Sequence, residues 1–422
     1  MPYGKASIVS IGNELLSGQT VSTNASYLSE KLLSIGIPVV SCYTVADDID
    51  QIVRAFNLAS EDADVVIATG GLGPTDDDLT RQALAEFLGT ELELQSSLLQ
   101  AIRDFFARRG REMPAKCEVE AHIPAGAKAL ANNLGTAPGI MAEAHGKVPA
   151  KRGPKLLVAL PGVPAEMKQM FEESVLGELQ ERAHSQAVAV RKLRCFGKGE
   201  SEIAELLGGL MQRGRNPLIN CTAHAGVITL CITATAKDKQ QAEELAQKDE
   251  AMLRSILDRL VYGTGEQTLA EVVGEKLAQK GQTIAVAESC TGGVLAKLLT
   301  DVPGSSRYFT HGWITYSNEA KISELGVPAE LIDEHGAVSQ QVAEAMARGA
   351  RKRAGTDFAV GITGIAGPAG GSEQKPVGLV YICVDSDSRC ETQRFVFSHG
   401  RASTRIRAAQ TALNMVRTRF CI

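Results

Sequence analysis

The chain has 422 residues, of which 44% are hydrophobic and 22% are charged, and its formal net charge is −5. A chain of this length exceeds one hydrophobic core, so about two or three domains are expected. The acidic balance disfavours a dedicated nucleic-acid binder, and no apolar run approaches the roughly 18 residues of a membrane span. Nine scattered cysteines without a C-x-x-C pair, and a start without a signal-peptide pattern, predict a cytosolic protein with reduced thiols.

The first 165 residues alternate apolar runs with segments of helical periodicity. This alternation predicts an α/β domain with a parallel sheet and helices on both faces. Strands are expected at 6–11, 64–69 and 156–160, helices at 24–35 and 78–88, and a polar loop at 150–155.

The middle of the chain has a different texture, which predicts a small α+β subdomain. A helix is expected at 165–179, strands at 188–196 and 227–235, and a long charged helix at 237–260. The alternation then resumes, with strands expected at 283–287, 358–362, 377–384 and 393–397 and helices at 339–354 and 401–419. We therefore predict three domains, at 1–165, 166–262 and 263–422, the last again of α/β class.

The segment Ala287-Glu288-Ser289-Cys290-Thr291-Gly292-Gly293 joins a predicted strand to an amphipathic helix. Unpaired N–H groups at the start of a helix carry partial positive charge, so they can hold a phosphate or a developing oxyanion. An ordinary Ser or Thr N-cap with glycines for a tight turn explains the same segment equally well. The segment alone therefore leaves a catalytic serine and a structural turn as alternatives.

Further segments belong with Ser289, because the carboxyl ends of strands in an open α/β sheet point into one crevice. Residues 312–321 place Tyr316 and Lys321 just past a strand, and residues 361–368 form a glycine-rich strand exit. The last predicted helix begins with three arginines, Arg401, Arg405 and Arg407.

A serine nucleophile needs a base, and Lys321 can serve if burial lowers its pKa. Tyr316 can relay the proton or donate to an oxyanion. His311, placed in a strand, and His335 and His399, placed in loops, are rival bases. A solvated helix lysine is the ordinary interpretation of Lys321 taken singly.

Residues 287–293, 315–321, 361–368 and 375–378 together resemble the C-terminal domain of the competence/damage-inducible (CinA) family. Proteins similar to this domain are nicotinamide-nucleotide amidases, which convert nicotinamide mononucleotide and water to nicotinate mononucleotide and ammonia. The resemblance implies a Ser–Lys pair of Ser289 as nucleophile and Lys321 as base. It also implies Tyr316 as the phenol beside them and Thr363 as a hydroxyl on the glycine-rich loop, with no metal or other cofactor.

The resemblance extends to substrate binding. It implies contacts from Thr291, Gly292, Gly293 and Gly364, and from an arginine of the last helix. Arg407 is our choice from the local Arg-Ile-Arg pattern, with Arg405 and Arg401 as the alternatives. Whether the amides of residues 291–293 hold the oxyanion or the ribose phosphate stays open.

A second glycine-rich segment, residues 69–80, follows an apolar strand and opens a helix. It fits neither the dinucleotide fingerprint nor the P-loop, but its glycines allow N–H groups to approach phosphates closely. The run Asp76-Asp77-Asp78 can hold a divalent cation that neutralises a pyrophosphate. An acidic helix N-terminus is the alternative, since Asp is favoured there.

This segment, with residues 11–16, Asn24 and residues 135–139, resembles the molybdopterin-binding-type domain that opens full-length members of the same family. In many members this domain is similar to ADP-ribose pyrophosphatases, which cut ADP-ribose to AMP and ribose 5-phosphate with a divalent metal. The resemblance implies a molybdopterin-binding-like parallel-sheet fold and a metal held by Asp76, Asp77 and Asp78. The residues that it implies for substrate binding are Glu14, Asn24, Gly70, Gly71, Gly73 and Thr75.

One departure from the family pattern concerns this second site. Before Ile123-Pro124 the family usually shows an Asn-x-Lys-Gln-Ala run, where this chain has Val119 and Glu120 in place of the Lys and Gln. Losing a positive charge and gaining a negative one weakens pyrophosphate binding, so we predict weak or absent cleavage of ADP-ribose. The alternative role is a domain retained for dimerisation or ligand sensing.

Taken together, these patterns favour a cytosolic amidase that acts on small nucleotides, with homodimerisation expected from the resemblance. Neither membrane association nor direct nucleic-acid binding is expected. The rival hypothesis is a module that binds a pterin or nucleotide and acts in competence or DNA-repair partnerships without catalysis. The set Ser289, Tyr316, Lys321 and Thr363 argues against it, because a pure binder does not need that set.

Overall fold

The computed structural model describes residues 3–144, 155–183, 187–398 and 400–420. Two compact units make up the chain: Met1–Ala189 with Thr235–Glu243, and Val190–Ala234 with Glu244–Ile422. His399 and most of the loop predicted at 150–155 lie outside the described residues. Within them, no helix is both long and apolar enough to cross a membrane, and the eight cysteines are free. The three-domain division stays a prediction.

The strands between residues 6 and 160 are β1 (Ala6–Ile11), β2 (Val39–Val45), β3 (Val65–Thr69), β4 (Leu92–Leu94), β5 (His122–Pro124), β6 (Lys128–Leu130), β7 (Gly139–Ala144) and β8 (Lys155–Leu160). The helices as far as residue 182 are α1 (Asn13–Leu16), α2 (Thr23–Ser34), α3 (Ile49–Asp62), α4 (Thr80–Leu88), α5 (Ser96–Ala107), α6 (Pro164–Met170) and α7 (Leu176–Arg182). A 3-10 segment, Ala115–Ala121, precedes β5, and a π-helical turn, Phe171–Val175, joins α6 to α7.

The six-stranded sheet of this unit has the order β2-β1-β3-β8-β7-β6. Strands β1, β2, β3 and β8 are parallel, as predicted, but β7 and β6 extend the sheet in antiparallel fashion, so the sheet is mixed. Neighbouring β1 residues pack on opposite faces, Ile8 with Leu28 of α2 and Val9 with Phe56 of α3. Helices therefore cover both faces, which explains why every residue of β1, β3 and β8 is buried.

The strands after residue 187 are β9 (Ala187–Phe196), β10 (Leu218–His224), β11 (Val227–Ala236), β12 (Val261–Thr264), β13 (Ile284–Glu288), β14 (Phe309–Ile314), β15 (Phe358–Gly364), β16 (Leu379–Ser386) and β17 (Cys390–Val396). The helices are α8 (Glu200–Leu207), α9 (Lys239–Leu257), α10 (Leu269–Lys280), α11 (Val294–Thr300), α12 (Asn318–Leu325), α13 (Ala329–His335), α14 (Gln340–Ala354) and α15 (Gly400–Arg419). Short 3-10 segments lie at Gly208–Met211, Asp258–Leu260 and Ser305–Arg307.

Two sheets are built from these strands, a four-stranded one in the order β10-β11-β9-β12 and a five-stranded one in the order β14-β13-β15-β16-β17. In the second sheet β13 is parallel to both β14 and β15, while β16 and β17 complete it in antiparallel fashion. Every residue of β13 is buried. The carboxyl ends of β13, β14 and β15 therefore meet at one edge, which the sequence predicted for the candidate catalytic segments.

Candidate active site

A pocket of about 290 Å³ lies at this edge of the five-stranded sheet. Its lining includes Ser289 after β13, Tyr316 and Lys321 after β14, and residues 363–367 at the end of β15. Gly364 also lines the pocket, and a Cβ there would lie 2.6 Å from Leu379 O, so only glycine fits. The structure thus brings together the segments that sequence reasoning placed in one crevice.

Lys321 and Ser289 are in hydrogen-bond reach, with Lys321 Nζ 3.2 Å from Ser289 Oγ. The amine also lies 2.9 Å from Thr315 O and 3.3 Å from Ser317 O. A neutral amine has two N–H donors and one lone pair. The two carbonyls can accept both donors, which leaves the lone pair for the Ser289 hydroxyl.

The environment of Lys321 favours this neutral form. Its side chain is only 1% exposed, although lysine is almost never fully buried unless paired. Burial lowers the pKa of Lys321, and the nearby Cys290 and Glu319 act on this pKa in the opposite direction. Removal from water penalises the ammonium more than the amine. The pKa of Lys321 is therefore shifted in the direction that a lysine base requires.

The turn after β13 places the Ser289 side chain at the pocket. Ser289 N donates to Ile362 O at 3.0 Å, which fixes the start of the turn to the neighbouring strand β15. Gly292 and Gly293 then adopt left-handed backbone angles, with φ of 59° and 93°. Residues with a Cβ rarely adopt such angles, so these glycines let the chain turn sharply into α11.

The amides predicted to hold an oxyanion or a phosphate have partners inside the turn. Gly293 N donates to Glu288 Oε2 at 3.0 Å, and Gly292 N donates to Ser289 O at 3.1 Å. Thr291 is fully buried, and its hydroxyl has no partner within the described residues. The proposed role of the Gly292 and Gly293 amides is therefore corrected, because a hydrogen already donated within the turn is not available to a ligand.

Tyr316 and Thr363 differ in what they can do. Tyr316 is 61% exposed at the pocket rim, where its hydroxyl accepts a hydrogen bond from Arg401 Nη2 at 3.0 Å. Thr363 is buried, and its hydroxyl donates to Ala337 O at 2.7 Å. That bond ties the end of β15 to the turn before α14, so the Thr363 hydrogen is committed to the protein itself.

The structure corrects the choice among the three arginines of α15. Arg401 lines the pocket and donates from Nη1 to Gly367 O at 3.0 Å. Arg405 donates from Nε to Thr291 O at 2.9 Å. Arg407 instead lies with its guanidinium 5.5 Å from the centre of the Phe397 ring, and it is not brought to the pocket. Position 407 is two residues from 405, about 200° around the helix, so it faces another way.

No histidine of the described ranges lines this pocket. His311 lies in β14 as predicted, stacked on Trp313 at 5.4 Å. His335, predicted in a loop, instead ends α13, and its carbonyl accepts a hydrogen bond from Lys375. The geometry therefore favours Lys321 over these two histidines as the base.

A second cavity, of about 830 Å³, lies in the N-terminal unit beside the loop of residues 70–73. Gly70 has a φ of 109°, and a Cβ there would lie 2.2 Å from Ile11 O, so glycine is required for this close approach. Glu14 lines the cavity as well. Gly71 and Gly73 belong to its lining too. Asn24, in contrast, is buried, and its amide donates to Thr69 Oγ1 at 2.9 Å and to Gly162 O at 2.8 Å. Asn24 therefore links α2 to the end of β3 and to the turn before α6.

The aspartate run does not converge on one point. Asp76 pairs with Lys116 at 3.4 Å, and Asp78 accepts from the hydroxyl and amide of Thr75 at 2.6 and 2.8 Å. Asp77 lines the cavity together with Asp78. Across the described part of the chain, no three His, Cys, Asp or Glu side chains are grouped so that they could hold a metal ion. The arrangement does not fit a cation held by the three aspartates alone, and we derive no metal step from it.

Of the two residues at which this chain departs from the family pattern, Glu120 is the one that lines the cavity. It is fully buried, and its Oε1 accepts from Thr136 at 3.0 Å, while Oε2 has no partner within the described residues. Burial raises the pKa of Glu120 to about 7, with a smaller raising effect from Asp78. The half-buried Val119 is not part of this lining.

Sequence reasoning missed the role of Glu288. Its carboxylate is fully buried and accepts hydrogen bonds from the amides of Gly293, Leu295 and Ala296, at 3.0, 3.2 and 2.8 Å. The signal was present, because an acidic residue shortly before a helix start is a favourable partner for unpaired amides. The sequence pattern placed Glu288 only in the junction between the predicted strand, 283–287, and the following helix.

Three family models match nearly the whole chain. The probable molybdopterin binding domain matches residues 7–181, the KH domain of damage-inducible protein CinA matches residues 190–263, and the CinA C-terminal domain matches residues 266–420.

Curated relatives match along the full length. A competence-damage inducible protein of Caldicellulosiruptor bescii is 42% identical over 415 residues, which cover 98% of this chain and 99% of that protein. A CinA-like protein of Geobacter sulfurreducens is 43% identical over 418 residues, or 99% of each chain. Among solved structures, the competence/damage inducible protein CihA from Agrobacterium tumefaciens is 41% identical, with a TM-score of 0.35, over 35% of this chain and 91% of that one.

Proposed function

The chain belongs to the competence/damage-inducible family CinA, and from this membership and the geometry of the C-terminal pocket we propose that it is a nicotinamide-nucleotide amidase. The observation that carries the proposal is the 3.2 Å contact between Lys321 Nζ and Ser289 Oγ, made by a lysine that is almost completely buried. A buried lysine beside a serine in the lining of a pocket is an arrangement that serves nucleophilic catalysis.

In the proposed reaction, Ser289 Oγ attacks the carboxamide carbon of nicotinamide mononucleotide while Lys321 Nζ takes the serine proton. The resulting ammonium returns this proton to the leaving amine, so ammonia departs and an ester joins Ser289 to the nicotinoyl group. Water then attacks the ester, with Lys321 again as the base, and nicotinate mononucleotide is released. One lysine serves as base and acid in turn, so this chain needs no histidine for proton transfer.

Arg401 is the proposed partner of the substrate phosphate. It lines the pocket, and its two protein contacts, to Gly367 O and to the Tyr316 hydroxyl, use one N–H from each terminal nitrogen. A guanidinium has five N–H donors in a planar fork that suits phosphate, so three remain for the ligand. The Gly292 and Gly293 amides are committed within the turn, which leaves Arg401 as the cation suited to this task.

The test is ammonia release from nicotinamide mononucleotide, with separation of the nucleotide product. We expect turnover in the presence of a metal chelator, and we expect Ser289→Ala to abolish it. Ser305→Ala is the matched control, because Ser305 begins a 3-10 turn of the same unit and is not part of the pocket lining. Binding of the nucleotide without turnover by the wild type would favour the rival binding module.

For the N-terminal cavity we propose that it binds a ligand and cleaves ADP-ribose little or not at all. Its support is the buried Glu120 carboxylate in the lining and the dispersed placement of the three aspartates. Homodimerisation is a further proposal, and light scattering of the purified full chain tests it.

A further inference from the structure

Two side chains of opposite charge hold the turn that carries Ser289: Glu288, which is fully buried, and Arg405, which is half-buried. Glu288, on the strand side, contacts N–H groups, and Arg405, on α15, contacts carbonyls. The proposed reaction uses neither side chain. Their placement on both sides of the nucleophile turn therefore calls for another explanation.

The carboxylate of Glu288 binds the donors of the turn. Its Oε2 accepts from Gly293 N and Leu295 N, and its Oε1 accepts from Ala296 N. The main chain of Glu288 adds a further tie, since its carbonyl accepts from Thr315 N at 2.9 Å. A fully buried carboxylate is costly unless its hydrogen bonds are satisfied, so this set of donors accounts for its presence.

The guanidinium of Arg405 binds the acceptors of the same turn. Arg405 Nε lies 2.9 Å from Thr291 O, and Nη2 lies 3.5 Å from Gly292 O. The approach is close, because a Cβ at Gly292 would lie 3.2 Å from Arg405 Nη2. A planar fork that meets two successive carbonyls fixes their orientation as well as their position.

We propose that Glu288 and Arg405 are positioning residues that clamp the turn of residues 289–293 and so keep Ser289 Oγ in reach of Lys321 Nζ. This inference rests on the proposed amidase function. It separates the arginines of α15 by task, with Arg401 assigned to the substrate and Arg405 to the nucleophile turn. Reactive groups must be held closely, since a displacement of about 1 Å can cost on the order of 100-fold in rate.

The experiment compares Glu288→Gln and Arg405→Met with the wild-type full chain. Gln replaces one acceptor oxygen by an amide nitrogen that faces N–H donors, and Met keeps much of the arginine stem without its donors. We expect kcat for nicotinamide mononucleotide to fall by about 10- to 100-fold in each variant, with KM close to the wild-type value. The double variant should lose less than the product of the two single losses, because both act on one turn.

A second readout does not depend on the amide substrate. Phenylmethanesulfonyl fluoride modifies activated serine hydroxyls. Mass spectrometry of the intact chain follows its attachment, and Ser289→Ala is the reference that shows whether the label is on Ser289. We expect the labelling rate to fall in parallel with kcat in both variants. If the wild type is labelled at Ser289 and the variants are labelled slowly, but no ammonia is released, the clamp stands and the amidase proposal fails.

Matched controls come from the same unit. Glu271→Gln removes a carboxylate that caps α10 through Thr268, and Arg407→Met removes an α15 arginine that lies over Phe397. Neither should change kcat or the labelling rate. Arg405→Lys keeps the charge but not the two-point contact, and it serves if Glu288→Gln does not fold.

The proposal is overturned by any of three results. A raised KM with an unchanged labelling rate in Arg405→Met would make Arg405 a substrate-binding residue. A wild-type kcat and labelling rate in both variants would make the clamp irrelevant to the nucleophile. Resistance of the wild type to labelling at Ser289 would show that the turn does not present a reactive hydroxyl.

Discussion

Replacing Arg401 by Met tests how the substrate phosphate is bound, and the structure sets the expected size of the effect. Three of the five guanidinium donors remain after the contacts to Gly367 O and the Tyr316 hydroxyl. A hydrogen bond to a charged group contributes about 1.5–3 kcal/mol. Since about 1.4 kcal/mol corresponds to a factor of ten, kcat/KM for nicotinamide mononucleotide should fall roughly 10- to 140-fold.

The assay compares two substrates, because Arg401 also contacts the protein. Ammonia release is measured from nicotinamide mononucleotide and from nicotinamide riboside, which lacks the phosphate. Any effect through Tyr316 or Gly367 lowers both rates, so the ratio of the two losses isolates the phosphate contribution. Arg407→Met is the matched control on the same helix and should leave both substrates unaffected.

Equal losses for the two substrates would refute the assignment, since Arg401 would then act only through its protein contacts. A selective loss of the phosphorylated substrate in Arg407→Met would also refute it. That result would restore the choice made from the Arg-Ile-Arg pattern.

Three more predictions follow from the two cavities. As the proposed base, Lys321 must be a neutral amine, so kcat/KM should be lost as the pH falls through its pKa, which burial lowers from the usual lysine value. A pH profile that is flat or falls with rising pH would contradict this assignment. Thr363→Val keeps the side-chain shape but removes the hydrogen bond to Ala337 O, so it should lower the free energy of unfolding by about 1 kcal/mol in urea titrations. An unchanged free energy of unfolding would show that this bond does not stabilise the fold. AMP release from ADP-ribose with added divalent cation should be weak. Glu120→Gln should bind ADP-ribose more tightly than the wild type above pH 7, because the wild-type carboxyl, whose pKa is about 7, is ionised there. Robust AMP release by the wild type, or equal affinities of the two proteins in calorimetry at pH 8, would oppose this view.

Regular elements with strong apolar character were predictable. Strand β1 was predicted with the observed bounds and β13 with bounds displaced by one residue, because both are largely apolar segments that are fully buried inside their sheets. Two of the strands that sequence reasoning did not identify lack such a signal. Strand β2 alternates half-buried and exposed residues at an edge of its sheet, and β4 has only three residues, so neither carries a long apolar signal.

The grouping of the candidate residues at strand ends was predictable as well, whereas their hydrogen-bond partners were not. The pairing of Ser289 with Lys321 depends on which strands are neighbours, and their parallel order followed from the alternation of strands and helices. The commitment of the Gly293 amide to Glu288 depends on one side-chain rotamer, which no spacing in the sequence specifies. Helical periodicity did contain a clue about the arginines, since positions 401 and 405 are one turn apart and share a face that position 407 does not.

The two cavities differ in the charge of their lining residues, and this difference bears on which cavity an anionic nucleotide occupies. The N-terminal cavity is lined by the carboxylates Glu14, Asp47, Asp77, Asp78, Glu120 and Glu166. The C-terminal pocket is lined instead by Lys321 and Arg401. Burial makes Lys321 a weaker cation, so Arg401 supplies the positive charge there. A nucleotide monophosphate therefore finds a complementary charge in the C-terminal pocket, whereas an anion in the N-terminal cavity needs protonated carboxyls or an added cation to offset repulsion.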